Sequence, residues 1–486
     1  MPTTLLPMNA PHDLPAFALT RAADAPLAEQ LAGRFAERIR QRLLLPGARL
    51  PSVRECARRH AVSPTTVVAA YDRLLAQGLV EARRQRGFFV REPRTAAAAD
   101  AAIAVRADGR PRPVDATALI RGMFHQGSSL PAPGMGTLPA EWLDLPLLHG
   151  ALRRAMAAEA AEQRSPSLRY GDPAGEPVLR EALAHRLADV GIACAPSQIV
   201  TTMGATHGLD VVSRTLLQPG DAVLVDEPGW SVEYARLSRL GVRLLPVPRG
   251  PQGPDLEVMR QLLQAHKPRL YATVSVLHNP TGCSLPLAAA HQVLKLAEAH
   301  DLLIVEDDTY THLAPAHAPR LAALDGLQRT IYISGFSKIL APNWRVGFVA
   351  ASPALTERFI DMKLLSTLTT PSLPERAIAA CIGQGQLRRH TERVIAQLDA
   401  ARTRSQRLAL EAGCRFVTPP QGLFGWIDAD VDTGRLAQAM LDDGWLLAPG
   451  SLFHPTARPT TLMRINFATC QDARFWQALV QTRAKL

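Results

Sequence analysis

Apolar residues in the first ninety positions fall at helical spacing. Leu27, Leu31, Phe35, Ile39 and Leu43 recur every fourth position, which gathers them on one stripe of a helix facing a small core. The Pro46-Gly47 pair stops that helix. In "LPSVRECARRHA", Ser52 and Glu55 have the spacing of a capping box and start a second helix. "VSPTTVVAAYDRLLAQG" supplies an N-cap at Ser63, a proline at the first helical position, a buried face of Val67, Tyr71 and Leu74, and a terminating Gly78. "LVEARRQRGFFV" reads as two strands around a basic turn. Three helices followed by such a hairpin predict a winged helix-turn-helix.

The pattern then changes twice. Residues 1–20 are Pro-rich, and residues 93–125 shift to Ala, Arg and Pro without periodicity, as suits a linker between domains. Beyond it, short apolar runs ("QIVTTM", "AVLVDEP", "VRLLPV", "RLYATVS", "LLIVEDD", "TIYIS", "VGFVAA") alternate with amphipathic stretches of helix length. Strands separated by helices imply βαβ units and a mostly parallel sheet. After about residue 365, longer helices and the runs "CRFVTP", "GLFGWIDA" and "TLMRINFA" predict a smaller α+β lobe. The expected class is α/β, with a flexible N-terminus (1–20), a winged helix (21–92), a linker (93–125), a large domain (126–364) and a C-terminal lobe (365–486).

Charge sharpens the division. Between Arg21 and Glu92, fourteen arginines face seven acidic residues, a surplus of seven out of the chain's net +10. The basic character therefore belongs to the front end, where a polyanionic partner is expected. Six scattered cysteines form no CxxC pair, so neither a disulfide framework nor a zinc site is predicted, and they read as reduced, mostly buried thiols. No run has the eighteen or so apolar residues of a membrane span, and the N-terminus has no basic region leading into an apolar one. A cytoplasmic protein without a membrane or metal partner is the expectation.

In a winged helix the N-terminal turn of the third helix enters the major groove. Ser63, Thr65 and Thr66 stand at that turn, and Arg54, Arg84 and Arg86 are placed for the backbone or a neighbouring groove. The plainer alternative is a small helical packing domain with solvated arginines. The stretch "PGARLPSVRECARRHAVSPTTVVAAYDRLLAQGLVEARRQRGFFV" resembles the winged helix of GntR-type transcription regulators over its whole length. The resemblance implies that Arg54, Thr65, Thr66 and Gly87 contact DNA. Pro64 stands where that family often has arginine, so base preference does not carry over.

The large domain offers one residue for each demand of a pyridoxal phosphate site: an amine to capture the carbonyl, an acid for the pyridine nitrogen and donors for the phosphate. Lys338 is the amine. Asp307 ends an apolar strand, where ligands gather in such sheets. Tyr310 and Asn279 of "HNPTG" are placed to reach the phenolic oxygen. Gly204, Ala205 and Thr206 follow a strand and open a helix, offering backbone N–H groups to a phosphate. Ser337 and Arg345 add to that end, and Trp230 is a candidate to stack on the ring. Taken singly, each has an ordinary reading as a turn, a core residue or a surface lysine.

Their order resembles the fold-type I, class I/II aminotransferases over roughly residues 125–486, carried by "LRYGDPAGEPVLREAL", "TTMGATHGLD", "DEPGW", "HNPTG", "VEDDTY", "SGFSKILAPNWRVGF" and "LMRINFA". The resemblance implies that Lys338 carries pyridoxal phosphate and that Asp307 pairs with its ring nitrogen. It also implies that Arg464 holds an incoming carboxylate, and that Tyr170 reaches the cofactor phosphate of a neighbouring subunit in a homodimer. Gly335 departs from the usual Ser or Thr, Trp230 from a common Tyr, and "PNWR" from "PGLR".

A GntR-like head before an aminotransferase-like body is similar to the MocR subfamily of regulators. That resemblance implies binding to a double-stranded DNA operator and sensing of an amino-acid-like effector or of pyridoxal phosphate itself. The alternative is a working aminotransferase with an accessory DNA-binding domain, since Lys338, Asp307 and Arg464 are all present; a third reading makes the pocket a vestige. A tethered head is of no use to transamination, which favours regulation.

Overall fold

The computed structural model describes residues 19, 25–40, 44, 48–83, 87–91, 132–161, 168–442, 444–456 and 458–486. Leu43, Pro46, Gly47, Arg84, Arg86 and the expected linker lie outside them. The chain divides into two compact units, one N-terminal and one built on Ala132–Gly434 and Leu447–Leu486.

In the N-terminal unit, helices α1 (Leu27–Arg40), α2 (Val53–His60) and α3 (Pro64–Ala76) precede the antiparallel hairpin β1 (Val80–Arg83) and β2 (Gly87–Val90). The periodic residues do what their spacing requires: Leu31, Phe35, Val67, Tyr71 and Leu74 are completely buried in one core. Ser52 Oγ accepts the Glu55 N–H at 3.3 Å and Ser63 Oγ accepts the Thr66 N–H at 3.1 Å, so both helices begin at their predicted caps. The Tyr71 hydroxyl donates to the Pro51 carbonyl at 2.9 Å. This bond fixes α3 against the chain entering α2, and it satisfies a hydroxyl that would otherwise be buried at a cost.

The second unit centres on an eight-stranded sheet in the order β3-β10-β9-β8-β7-β4-β5-β6. Its strands are β3 (Ile199–Met203), β4 (Ala222–Glu227), β5 (Arg243–Gly250), β6 (Gly253–Pro254), β7 (Leu270–Thr273), β8 (Leu303–Asp307), β9 (Thr330–Gly335) and β10 (Val346–Ala350). The five from β5 to β9 across β4, β7 and β8 run parallel; β10 is antiparallel to both β9 and β3. Alternation along each strand sends side chains to opposite faces. Val223 and Val225 join one core with Val305, Ile331 and Ile333, whereas Leu224 and Ile304 join another.

The same alternation sorts the three consecutive acids at the end of β8. Glu306 accepts the Leu321 and Ala322 N–H groups at 2.8 Å each and so caps a short helix. Asp308 meets Arg320 at 2.6 Å, with both side chains inaccessible. Asp307 alone shares the face of Val305. A four-stranded antiparallel sheet, β11-β12-β14-β13, forms from β11 (Arg415–Phe416), β12 (Phe424–Asp428), β13 (Ala448–Pro449) and β14 (Leu462–Asn466). All six cysteines are free thiols and five are buried. Among the described residues no helix is long and apolar enough to cross a membrane.

Candidate functional site

Lys338 lies in the loop after β9. That loop is pinned at both ends: Phe336 N–H donates to the Val346 carbonyl at 3.1 Å, and His390 Nε2 donates to the Ile339 carbonyl at 2.7 Å. The Lys338 amine donates to the Gly136 carbonyl at 2.8 Å. Burial, followed by the positive charges of Arg464 and Arg345, brings its pKa down to about 8, while Asp307 opposes the shift. A larger fraction of the amine is therefore neutral and nucleophilic near neutral pH than for an ordinary lysine.

Arg464 on β14 is only 5 % exposed. Its guanidinium donates to Asn279 Oδ1 at 2.7 Å and to the Gly134 carbonyl at 2.6 Å, and stacks over the rings of Phe424 and Phe453 at 4.5 and 5.0 Å. Burial lowers its pKa to about 10. Its Nε has no hydrogen-bond partner. A buried cation held by neutral oxygens and ring faces is one for which an anionic ligand is the missing partner.

Asp307 accepts the Thr309 N–H at 3.0 Å and also the Thr309 hydroxyl. Burial raises its pKa to about 6. Trp230 lines the same cavity as Asp307, together with Val305, Thr273 and His278. Tyr310 meets the Asn279 side chain and packs edge-on against Phe424 at 5.3 Å, and burial raises its phenol.

Gly204 caps the helix Ala205–Leu216 with φ +75°, a conformation that L side chains rarely adopt. A Cβ there would fall 2.4 Å from Arg345 Nη2, and one at Gly347 would fall 2.7 Å from the Ala205 nitrogen. Arg345 itself takes a left-handed φ of +52° and donates to Ser337 Oγ and to the Met203 carbonyl, each at 3.1 Å. The short helical turn of Pro342–Trp344 leads into that conformation. Bare backbone, a hydroxyl and a guanidinium thus form a close anion cradle at a helix N-terminus, with Thr206 exposed in the first turn. Gly335 has a packing reason: a Cβ would lie 3.0 Å from the Val346 carbonyl and 3.2 Å from Gly347 Cα. Tyr170 stands apart from this cluster, 81 % exposed.

Two parts of the site are absent from the sequence reading. Residues 133–137 cross it as a strap: besides the bonds from Lys338 and Arg464, Asn466 Nδ2 donates to the Met135 and Thr137 carbonyls at 2.9 and 2.7 Å. Its signal, "PAPGMG", is only Pro and Gly, and the recognition is by backbone. The second is a buried network at Asp226, which accepts from Arg249 at 2.9 Å and Thr273 at 2.7 Å and also from Tyr271. His278 stands 3.6 Å from Asp226, and burial keeps its imidazole neutral. A charged residue inside an otherwise apolar strand was the available clue.

In the N-terminal unit Arg54 and Thr65 are exposed. Thr66 is half-buried, and its hydroxyl is 2.8 Å from that of Ser63. This pairing ties both hydroxyls to the helix cap and leaves Thr65 as the freer group. Gly87 has φ +98° and Arg49 lies beside it, an exposed arginine that the sequence reading passed over.

Labelling by acetic anhydride at graded pH, read by mass spectrometry, is expected to place half-maximal reactivity of Lys338 near pH 8, against about 10.4 for an ordinary lysine. The neutral fraction, and with it the rate, rises as pH increases through that value. A titration above pH 10 would show that its surroundings do not depress the amine.

The chain matches the family "Aminotransferase class I and II" over residues 144–480 and "Bacterial regulatory proteins, gntR family" over residues 27–90. It is 30 % identical to the uncharacterized HTH-type transcriptional regulator YjiR of Escherichia coli, with 93 % of this chain and 97 % of that protein covered. It is also 30 % identical to the probable rhizopine catabolism regulatory protein MocR of Rhizobium meliloti, over 77 % and 76 % of the two chains. Among solved structures, the multiple substrate aminotransferase of Thermococcus profundus superposes with a TM-score of 0.68 at 24 % identity, covering 77 % of this chain and 96 % of that one, which bears on the fold. A gntR-type head joined to a class I and II aminotransferase body, matched along nearly its whole length by an HTH-type transcriptional regulator, places the chain in the aminotransferase class I and II family and, within it, among the MocR-type regulators.

Proposed function

We propose that this protein binds an operator through its winged helix and senses an amino-acid-like effector, or pyridoxal phosphate itself, through Lys338. The observation that carries the reading is the pair of Lys338, an amine lowered to about pKa 8, and Arg464, a buried cation held only by neutral oxygens.

The residues fit pyridoxal phosphate. The cradle of Gly204, Ala205, Ser337 and Arg345 leaves no side-chain atom between the backbone and the guanidinium, and so suits a phosphate. Asp307 would face the ring nitrogen, Tyr310 and Asn279 the phenolic oxygen, and Trp230 the ring. When bound, the cofactor supplies a carbonyl for a primary amine and an electron sink. Lys338 contributes an amine that is partly neutral near pH 8, and the Gly136 carbonyl orients it by accepting its hydrogen bond. Arg464 binds and orients a carboxylate, its cation kept dry by Phe424 and Phe453. A ligand carrying both amine and carboxylate engages both groups, which is why an amino acid is the expected class.

A homodimer belongs to this reading. Leu168, Tyr170 and Leu365 are each more than 80 % exposed, and a second subunit would cover them and receive Tyr170. A cytoplasmic location belongs to the same reading, since its proposed target is operator DNA.

In the winged helix, Arg54→Ala is expected to weaken operator binding and to reduce the slope of log K against log salt by about one. Fluorescence anisotropy of a labelled operator across a salt series measures both; an unchanged slope would remove Arg54 from the DNA contact.

The competing reading, a working aminotransferase, is favoured by Lys338, Asp307 and Arg464 standing in one site. Visible spectra of the loaded protein separate the two. A band that shifts with one amino acid and stays shifted supports sensing; steady amination of the cofactor, reversed by a keto acid, supports the enzyme.

A further inference from the structure

A cavity lies on the face of β9 opposite Ile333, and none of the roles above uses it. Tyr332 and Ser334 of β9 line it with Phe348 of β10, and the helices Pro177–Ala188 and Gln386–Glu411 contribute Arg186 and Thr391. Its volume is about 160 Å³, close to the ~150 Å³ that admits a benzene-sized ligand.

Its apolar walls surround a guanidinium, an imidazole and an unpartnered hydroxyl. Arg186 donates to His312 Nδ1 at 2.9 Å, so the neutral ring carries its proton on Nε2. Burial and Arg186 hold the imidazole well below its usual pKa, and a hydrogen bond with the Gly335 backbone opposes this shift. Thr391 Oγ1 has no hydrogen-bond partner in a residue 9 % exposed. Buried donors are normally satisfied, so an unpartnered hydroxyl in a cavity that also holds a guanidinium calls for an acceptor. Arg186 meets no carboxylate at ion-pairing distance among the described residues, and the charge opposing it is that of Asp189 at the rim.

We infer that this cavity is a second ligand site, for a small monocarboxylate with an apolar body, whose carboxylate is held by Arg186 and by the Thr391 hydroxyl. The site goes beyond the sensing role of Lys338 and does not depend on it. Its walls nevertheless support the lysine loop. Phe336, two residues before Lys338, packs on His312 at 5.3 Å, and Thr391 adjoins His390, which holds the Ile339 carbonyl. An occupant therefore bears on both anchors of that loop.

The test is a fluorine NMR titration of the full-length, pyridoxal phosphate-loaded protein with 4-fluorobenzoate. Saturable binding is expected, weakened by about tenfold or more in Arg186→Met, as for a lost hydrogen bond to a charged group. Binding should weaken by a smaller factor in the isosteric Thr391→Val, which also guards against a misfolded arginine variant, and persist in Arg464→Leu. Absence of saturable binding at millimolar concentration overturns the proposal. So does binding indifferent to both Arg186→Met and Thr391→Val, whatever Arg464→Leu does, because the probe would then occupy another place.

Discussion

Lys338→Ala is expected to abolish the response to effector while leaving the affinity of the unliganded protein for its operator unchanged. The amine is the group in the site able to form a covalent link, and its depressed pKa marks it as reactive. Without that link, retention of pyridoxal phosphate should fall by about 100-fold or more, equivalent to a loss of about 3 kcal/mol or more. Dialysis followed by absorption spectroscopy reads retention, and operator anisotropy with and without ligand reads the response. A variant that still answers its effector would show that the signal enters elsewhere and that the pocket is a vestige.

Arg464→Leu should raise the amino-acid concentration needed for half-maximal response by about 30- to 5,000-fold, since losing one partner of a buried charge pair costs about 2–5 kcal/mol. Leucine keeps much of the volume between Phe424 and Phe453, so the effect should fall on carboxylate recognition more than on folding. A control separates the two: an alkylamine without a carboxylate should act equally on both proteins. Equal weakening for amine and amino acid would mean that Arg464 supports the pocket without reading the carboxylate.

Side chains whose position follows from periodicity or strand order were legible in advance. Leu31, Phe35 and Tyr71 are buried because four-residue spacing leaves them one face. Asp307 was separable from Glu306 and Asp308 in principle, because alternation along β8 sends its neighbours to a helix cap and to Arg320. Recognition by backbone was not legible. Gly134 and Gly136 act through their carbonyls, and no residue type announces a carbonyl that will meet a lysine 202 positions away. The pairing of Thr66 with Ser63 was likewise hidden, since a capping hydroxyl and a DNA-contacting hydroxyl look alike in sequence. The partners of Asp226 come from β5 and β7, and only the fold brings them together.

The strap at residues 133–137 gives the ligand site a threshold. Its carbonyls already occupy donors of Lys338 and Arg464, the groups an amino acid would claim. A ligand must therefore exchange partners with the chain itself, and the affinity it displays is its own contact energy less the work of freeing those carbonyls. A variant that loosened the strap should therefore bind its effector more tightly.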